Sequence, residues 1–242
     1  ISTITGIICA VLGLHVAKHG NTAVSSKTGA SDVLECLGYD IRCDETLTRK
    51  ALEECGFAFF FAQVYHQGMR FAAPVRKALG TSTIFNILGP LTNPAHVDYE
   101  LLGCYDKNLN NILANALKLV VNGNGMDEIA TFGTTYYSEL FEDGKIVDGI
   151  ITKESFGIKA CYHQDQLLGG TPKENAQIAL DILSGKGTDA QNAVIAANAA
   201  AMLRLDGLCE NLKLGFELAM DAIASGLGIV KFEQIARISR GE

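Results

Sequence analysis

The sequence predicts an α/β fold: a mixed, mostly parallel central sheet flanked by helices, formed by residues 1–242 as one domain. Three observations carry this expectation. Strand-like and helix-like segments alternate up to about residue 150. GFAFFFAQV, residues 56–64, is an aromatic and apolar run of strand length, the kind buried on both faces of a parallel sheet. From Thr171 onward the pattern is helical, with alanine-rich faces that permit close helix packing.

Taken in order, residues 2–14 read as a helix, VAK at 16–18 as strand-like, and Asp32–Leu37 and Leu47–Glu54 as helical. Ser31 or Asp32 is the expected cap of SDVLECLG. After the aromatic strand, HQGMRFAAPVRKALG reads as a helix stopped at Gly80. YELLGCY (99–105) is the next strand and NLNNILANALKLV an amphipathic helix. YYSELF, the turn EDGK and KIVDGII form a hairpin, because Asp-Gly between apolar strands favours one. PKENAQIALDIL, DAQNAVIAANAAAMLRLDGL and ENLKLGFELAMDAIASG complete the helical end.

Composition narrows the function. A hydrophobic content of 48% with 19% charged residues belongs to a packed protein, not a disordered one. A net charge of −7 and an isoelectric point near 5.3 oppose a nucleic-acid role, which requires a basic footprint. The seven cysteines show no C-x-x-C spacing and read as reduced thiols of a cytoplasmic protein. The apolar run from Ile7 to Val16 is too short to cross a bilayer, and nothing resembles a signal peptide. ISTITGIICAVLGL enters a helical pattern without an initiator methionine, as a piece of a longer chain would.

Four stretches carry candidate chemistry. VAKHGNTAVSSKTG (16–29) gathers Lys18, His19, Asn21, Ser25, Ser26 and Thr28 on a backbone bent by Gly20 and Gly29. Backbone N–H groups, hydroxyls and one ammonium suit phosphate oxygens, although an ordinary polar loop has the same composition. Asp127 and Glu128 in NGNGMDEIATFG can reach metal-bound waters if a loop presents both; alone such a pair is a common surface feature. GPLTNP (89–94) makes a rigid corner able to wall an aromatic pocket or simply to turn the chain. Arg76, ten residues after His66, can fork a carboxylate or stand solvated. His15 and His19 have zinc-pair spacing, but Gly20 and the strand-like context interrupt a helix there and no third ligand is evident. No Gly-x-Ser-x-Gly elbow, Walker loop or Rossmann fingerprint occurs.

In this order IST (1–3), KHGNTAVSS (18–26), GPLTNP (89–94), MDE (126–128) and LGGTPKENA (168–176) resemble the anthranilate phosphoribosyltransferase family of tryptophan biosynthesis, end to end. The resemblance implies a nucleoside phosphorylase/phosphoribosyltransferase-like fold, Mg²⁺ as cofactor, and 5-phosphoribosyl 1-diphosphate (PRPP) and anthranilate as substrates. It implies PRPP binding by Ser2, Thr3, Lys18, His19, Gly20, Asn21, Ser25 and Ser26. Anthranilate would meet Asn21, His66, Arg76 and Pro90, with His19 near that pocket, and the metal would meet Ser2, Asp127 and Glu128. No residue is assigned as an acid or base.

The family's G-T-G-G-D loop and the helical domain that builds its homodimer lie upstream of the segment matched by IST (1–3); a homodimer is implied only where that domain accompanies the chain. Thr22 and Ser82 stand where arginines are usual, and Ala30 where a serine is frequent. The segment before Gly125 looks short by about one strand. A catalytically silent relative that binds phosphates or nucleic acid is disfavoured by the acidic charge and by Lys18, Asn21, Asp127 and Glu128. A pyrimidine nucleoside phosphorylase is disfavoured by the KHGN and GPLTNP pair.

Overall fold

The computed structural model describes residues 1–22, 28–80, 83 and 88–242, apart from the side chains of Ala73, Arg76, Lys77 and Pro90. It begins with α1 (Ser2–Val11), whose residues from Thr5 to Ala10 are all buried. β1 (Val16–Gly20) pairs in parallel with β2 (Phe57–Phe61), the two strands separated in sequence by α2 (Ala30–Cys36) and α3 (Glu45–Cys55). All five β2 residues, FAFFF, are buried, as a strand covered on both faces requires. α4 (Ala62–Tyr65) and α5 (Met69–Leu79) follow.

β3 (Leu101–Gly103) pairs in parallel with β4 (Leu119–Gly123), with α6 (Asn110–Ala114) between them. β4, β5 (Thr135–Leu140) and β6 (Ile146–Ile151) then run antiparallel. The helical end is α7 (Pro172–Leu183), α8 (Asp189–Asp206), α9 (Leu212–Ala224) and α10 (Leu227–Ser239).

The α/β class and mixed pairing match the sequence expectation. Among the described residues, however, the strands form two groups, β1–β2 and β3–β4–β5–β6, and parallel pairs do not outnumber antiparallel ones. The β5–β6 hairpin is the reason: once Asp143 and Gly144 turn the chain, its strands can only pair antiparallel.

α8 is the spine between the two groups. Val194, Ile195, Ala199 and Leu203 pack into a core with Ile7, Ile8 and the β2 phenylalanines. Ala197, Ala200, Ala201 and Leu205 pack into a second core with Leu119, Val121, Ile129 and Phe156. Alanine on both sides lets one helix approach both sheets, and each large side chain so buried contributes about 1.5–3 kcal/mol. Such a helix is apolar nearly all round, as a buried helix must be.

Local signals explain the ends of the late helices. Thr171 and Glu174 satisfy each other's backbone N–H groups at the start of α7, and Pro172 follows at the first helical position. Thr188 and Gln191 repeat the arrangement on α8.

Three expectations are corrected. The strand from 56–64 ends at Phe61, where the chain turns into α4, because nothing beyond it continues the pairing with β1. NLNNILANALKLV is not one helix: α6 covers only Asn110–Ala114, and Leu119 and Val120 are already in β4, where burial between sheet and helix overrides local periodicity. Finally, Gly29 is the N-cap of α2, and Asp32 reaches back to accept from Gly29 N at 2.7 Å.

Candidate active site

The carboxyl ends of β1 to β4 open into one cleft of about 1560 Å³. That is where α/β sheets present ligands, because loops leaving parallel strands diverge there. β1 delivers Lys18, His19 and Gly20, and Asn21 follows. Gln63 and His66 arrive just after β2, and a bend after β4 carries Asp127 and Glu128. Ser2, at the first turn of α1, completes the nearest wall.

At one end Lys18 Nζ donates to Ser2 Oγ at 2.9 Å, with the carboxylates of Glu128 and Asp127 acting on the same ammonium. Desolvation lowers the Lys18 pKa, and the two carboxylates oppose that shift. Glu128 is raised above its usual value by desolvation, with Lys18 and a hydrogen bond from the Ser2 backbone pulling it back. The group is an ammonium near two acids and bonded to one hydroxyl.

The bend holding those acids lies unusually close to the sheet. A Cβ on Gly103 would overlap the Asp127 carbonyl, and one on Gly123 would overlap the Glu128 carbonyl. Both glycines are therefore required by backbone approach, not by backbone angle.

At the other end His19 Nε2 and His66 Nε2 are 3.1 Å apart, with the rings edge to face. One ring must donate and the other accept, so the pair is stable only when it holds a single proton between those atoms. Burial, then the charges of His66 and Lys18, pull the His19 pKa down to about 4. The folded value lies below the unfolded one, so this neutral histidine stabilises the fold above pH about 6.5 and the contribution is lost as pH falls toward 4. Urea unfolding across that window should show stability declining with acid, by less than the full shift implies because the ring is only partly buried and solvent screens it. His19→Gln should flatten that slope; an unchanged slope would mean other groups cause it.

Beside the histidines, Asn21 Oδ1 accepts from Thr22 N at 2.8 Å and from Gln63 Nε2 at 3.2 Å. With its oxygen occupied, the carboxamide presents Nδ2 as a donor. Arg42 lies over the Phe61 ring and bonds Gln63 Oε1 at 3.5 Å. Asn93 Nδ2, from the GPLTNP corner, donates to Ala17 O at 3.0 Å and ties that corner to β1. Thr28 Oγ1 donates to Gly170 O at 2.8 Å, which sets the LGGTPKENA stretch beside the opening loop.

Of the predicted site residues, Ser2, Lys18, His19, Gly20, Asn21, His66, Asp127 and Glu128 share this cleft. Thr3 does not line it. Ser2, Thr5 and Gly6 occupy the cleft-facing stripe of α1, and Thr3, one step around the helix from Ser2, is buried instead. Ser25 and Ser26 lie outside the described residues, as do Ser82 and the side chains of Arg76 and Pro90.

Sequence reading missed Arg42, Gln63, Glu100 and Asn198, all at the cleft. Burial lifts the Glu100 carboxyl to about 7. Only Gln63 had a local signal, a polar residue directly after an apolar strand.

Among the described residues no helix is long and apolar enough to cross a membrane. Residues 1–229 match the glycosyl transferase family, a/b domain. The chain is 46% identical to the anthranilate phosphoribosyltransferase of Tolumonas auensis, covering 100% of this chain and 74% of that protein. It superposes on the crystal structure of the Thermus thermophilus enzyme of that name with a TM-score of 0.93 at 38% identity, covering 99% of this chain and 73% of the other. The Saccharomyces cerevisiae enzyme in complex with PRPP and Mg gives a TM-score of 0.88 at 28% identity, covering 100% and 69%. The cleft with Lys18 facing Asp127 and Glu128 is therefore carried on a known scaffold, and the chain belongs to the anthranilate phosphoribosyltransferase family.

Proposed function

We propose that this chain transfers the phosphoribosyl group of PRPP to the amine of anthranilate, giving N-(5-phosphoribosyl)anthranilate and diphosphate. The observation that carries the reading is the single cleft with two chemically distinct ends. An ammonium and two carboxylates lie at one end, and a hydrogen-bonded imidazole pair beside an oriented carboxamide at the other.

The first end suits an anionic leaving group held with a hard cation. Its donors, Asp127, Glu128 and Ser2, offer only oxygen, and no group of three or more His, Cys, Asp or Glu among the described residues could cage a metal. That fits Mg²⁺, which keeps its waters and takes one or two carboxylates plus substrate phosphates. Bound there, Mg²⁺ would neutralise charge on diphosphate as it leaves.

Lys18 supplies a second positive charge to that diphosphate, moving from Ser2 Oγ to a phosphate oxygen. Ser25 and Ser26 belong to the same cradle in this reading. Asn21 Nδ2, with Arg76 on α5, holds the anthranilate carboxylate, and Pro90 belongs to the wall of that pocket. His19, held neutral by burial, adds no cation of its own to that end.

The reaction breaks the ribose C1–O bond, its electron pair leaving with diphosphate, and forms a C1–N bond to the amine. The acidic anilinium that results gives its proton to water without a strong base, so none is required. Most of the acceleration comes from holding the amine against C1 and stabilising the leaving charge. The same reading makes this a cytoplasmic enzyme with reduced thiols. A homodimer follows where the family's helical domain is joined to it.

Loss of anthranilate fluorescence on mixing the protein with PRPP and Mg²⁺ tests the activity. Lys18→Ala should raise the KM for PRPP by about 10- to 100-fold, the loss of one charge-assisted contact, with the anthranilate KM within about twofold. Equal effects on both substrates would remove Lys18 from the diphosphate end.

A further inference from the structure

The bend that carries Asp127 and Glu128 has little structure of its own. It leaves β4 through a tight turn in which Met126 pairs back to Gly123, and its residues belong to no helix or strand. What holds it comes from α8, some seventy residues away in sequence.

Asn198 sits in the interior of α8 and is 1% exposed. Its carboxamide addresses both backbone groups of Ile129, the residue directly after Glu128. Oδ1 accepts from Ile129 N at 2.9 Å, and Nδ2 donates to Ile129 O at 3.0 Å and to Val194 O at 2.8 Å. The next peptide is tied as well, because Ala130 N donates to Thr135 Oγ1 at 3.0 Å on β5.

The side chain pairs with Ile129 as a neighbouring strand would. A carboxamide buried among alanines is unfavourable unless its hydrogen bonds are made, and here the bonds are made to the backbone after the acids. Gly103 and Gly123 press the same bend from the sheet side. The bend is thus held from two directions, and its carboxylates keep one position relative to Lys18.

The geometry points to Asn198 as a positioning residue for the divalent-cation site. It is not one of the oxygen ligands proposed for the cation; it sets the backbone from which Asp127 and Glu128 are presented. This rests on the reading of those two carboxylates as the cation's ligands. Outer contacts of this kind alter metal affinity by about 10- to 100-fold in other proteins.

Titration with Mn²⁺ in the presence of PRPP, followed by the paramagnetic signal of free Mn²⁺, tests it. Asn198→Ala should raise the Mn²⁺ concentration for half-saturation about tenfold or more. The anthranilate KM should stay within about twofold, and amide exchange over residues 127–130 should accelerate. Asn198→Asp, equal in shape and still able to accept from Ile129 N, should shift the titration less, and it carries the test alone if the alanine variant does not fold. A lower melting temperature with an unchanged Mn²⁺ titration overturns the inference, leaving Asn198 a core residue only. Asp127→Asn with Glu128→Gln serves as the control. If that pair moves the titration and the Asn198 variants do not, only the positioning role falls. If neither moves it, the cation-ligand reading falls and this inference falls with it.

Discussion

Replacing Asp127 by Asn and Glu128 by Gln together should lower kcat/KM for phosphoribosyl transfer by on the order of a thousandfold. Both changes keep shape and remove only charge. The two carboxylates act on Lys18 from the bend after β4 and offer the hard oxygen ligands of their end of the cleft. In the proposed reading the cation then loses these two ligands, and diphosphate leaves with Lys18 as its principal counter-charge. The other end of the cleft, built by Asn21, His19 and His66 on other elements, should be untouched. Anthranilate fluorescence followed against Mg²⁺ concentration reads the effect directly. A double variant that kept its Mg²⁺ dependence and a rate within about tenfold of the parent would remove these acids from the leaving-group site.

Gly103→Ala should cost nearly as much activity without altering any charged group. Gly103 ends β3, and an added methyl would overlap the Asp127 backbone carbonyl. The obstacle is main chain, which cannot swing aside as a flexible side chain can. Either β3 or the acidic bend must shift, and overpacking of this sort costs about 1–3 kcal/mol. For a chain of this size that corresponds to a fall of about 2–12 °C in melting temperature. The bend is the less regular partner and should give way, so Mg²⁺ affinity and kcat should fall together. Gly68→Ala is the matched control, because nothing lies within 4 Å of a Cβ there and its backbone is not left-handed. A Gly103→Ala protein that melted and bound Mg²⁺ like the parent would show that the bend tolerates displacement.

These two experiments bear on different layers of the molecule, and the layers were unequally readable. α7 was legible from TPKEN, where cap, proline and reciprocal glutamate are adjacent in sequence. β2 was legible from FAFFF, because full burial of a strand leaves an uninterrupted apolar run. The β5–β6 hairpin was legible from its Asp-Gly turn. Each of these signals depends on neighbours in the chain.

The segment 108–120 was misread for the opposite reason. Its apolar spacing satisfies a helix, yet Leu119 and Val120 are claimed by pairing with Leu101 and Leu102 on β3 and by the core beneath. Thr3 was misplaced because a motif names residues without the helical phase that turns only some of them toward the cleft.

The sequence alone determined the lineage, the α/β class and the chemical inventory of the site: one lysine, two acids, two histidines and an asparagine in recognisable order. Those follow from residue type and local spacing. Tertiary structure decided which of them meet. The 3.1 Å contact between His19 and His66, the closeness of Gly103 to the Asp127 carbonyl, and the grip of Asn198 on Ile129 all join residues far apart in the chain. Such contacts arise where strand ends converge and a buried helix crosses beneath them, and that convergence leaves no local pattern in the sequence.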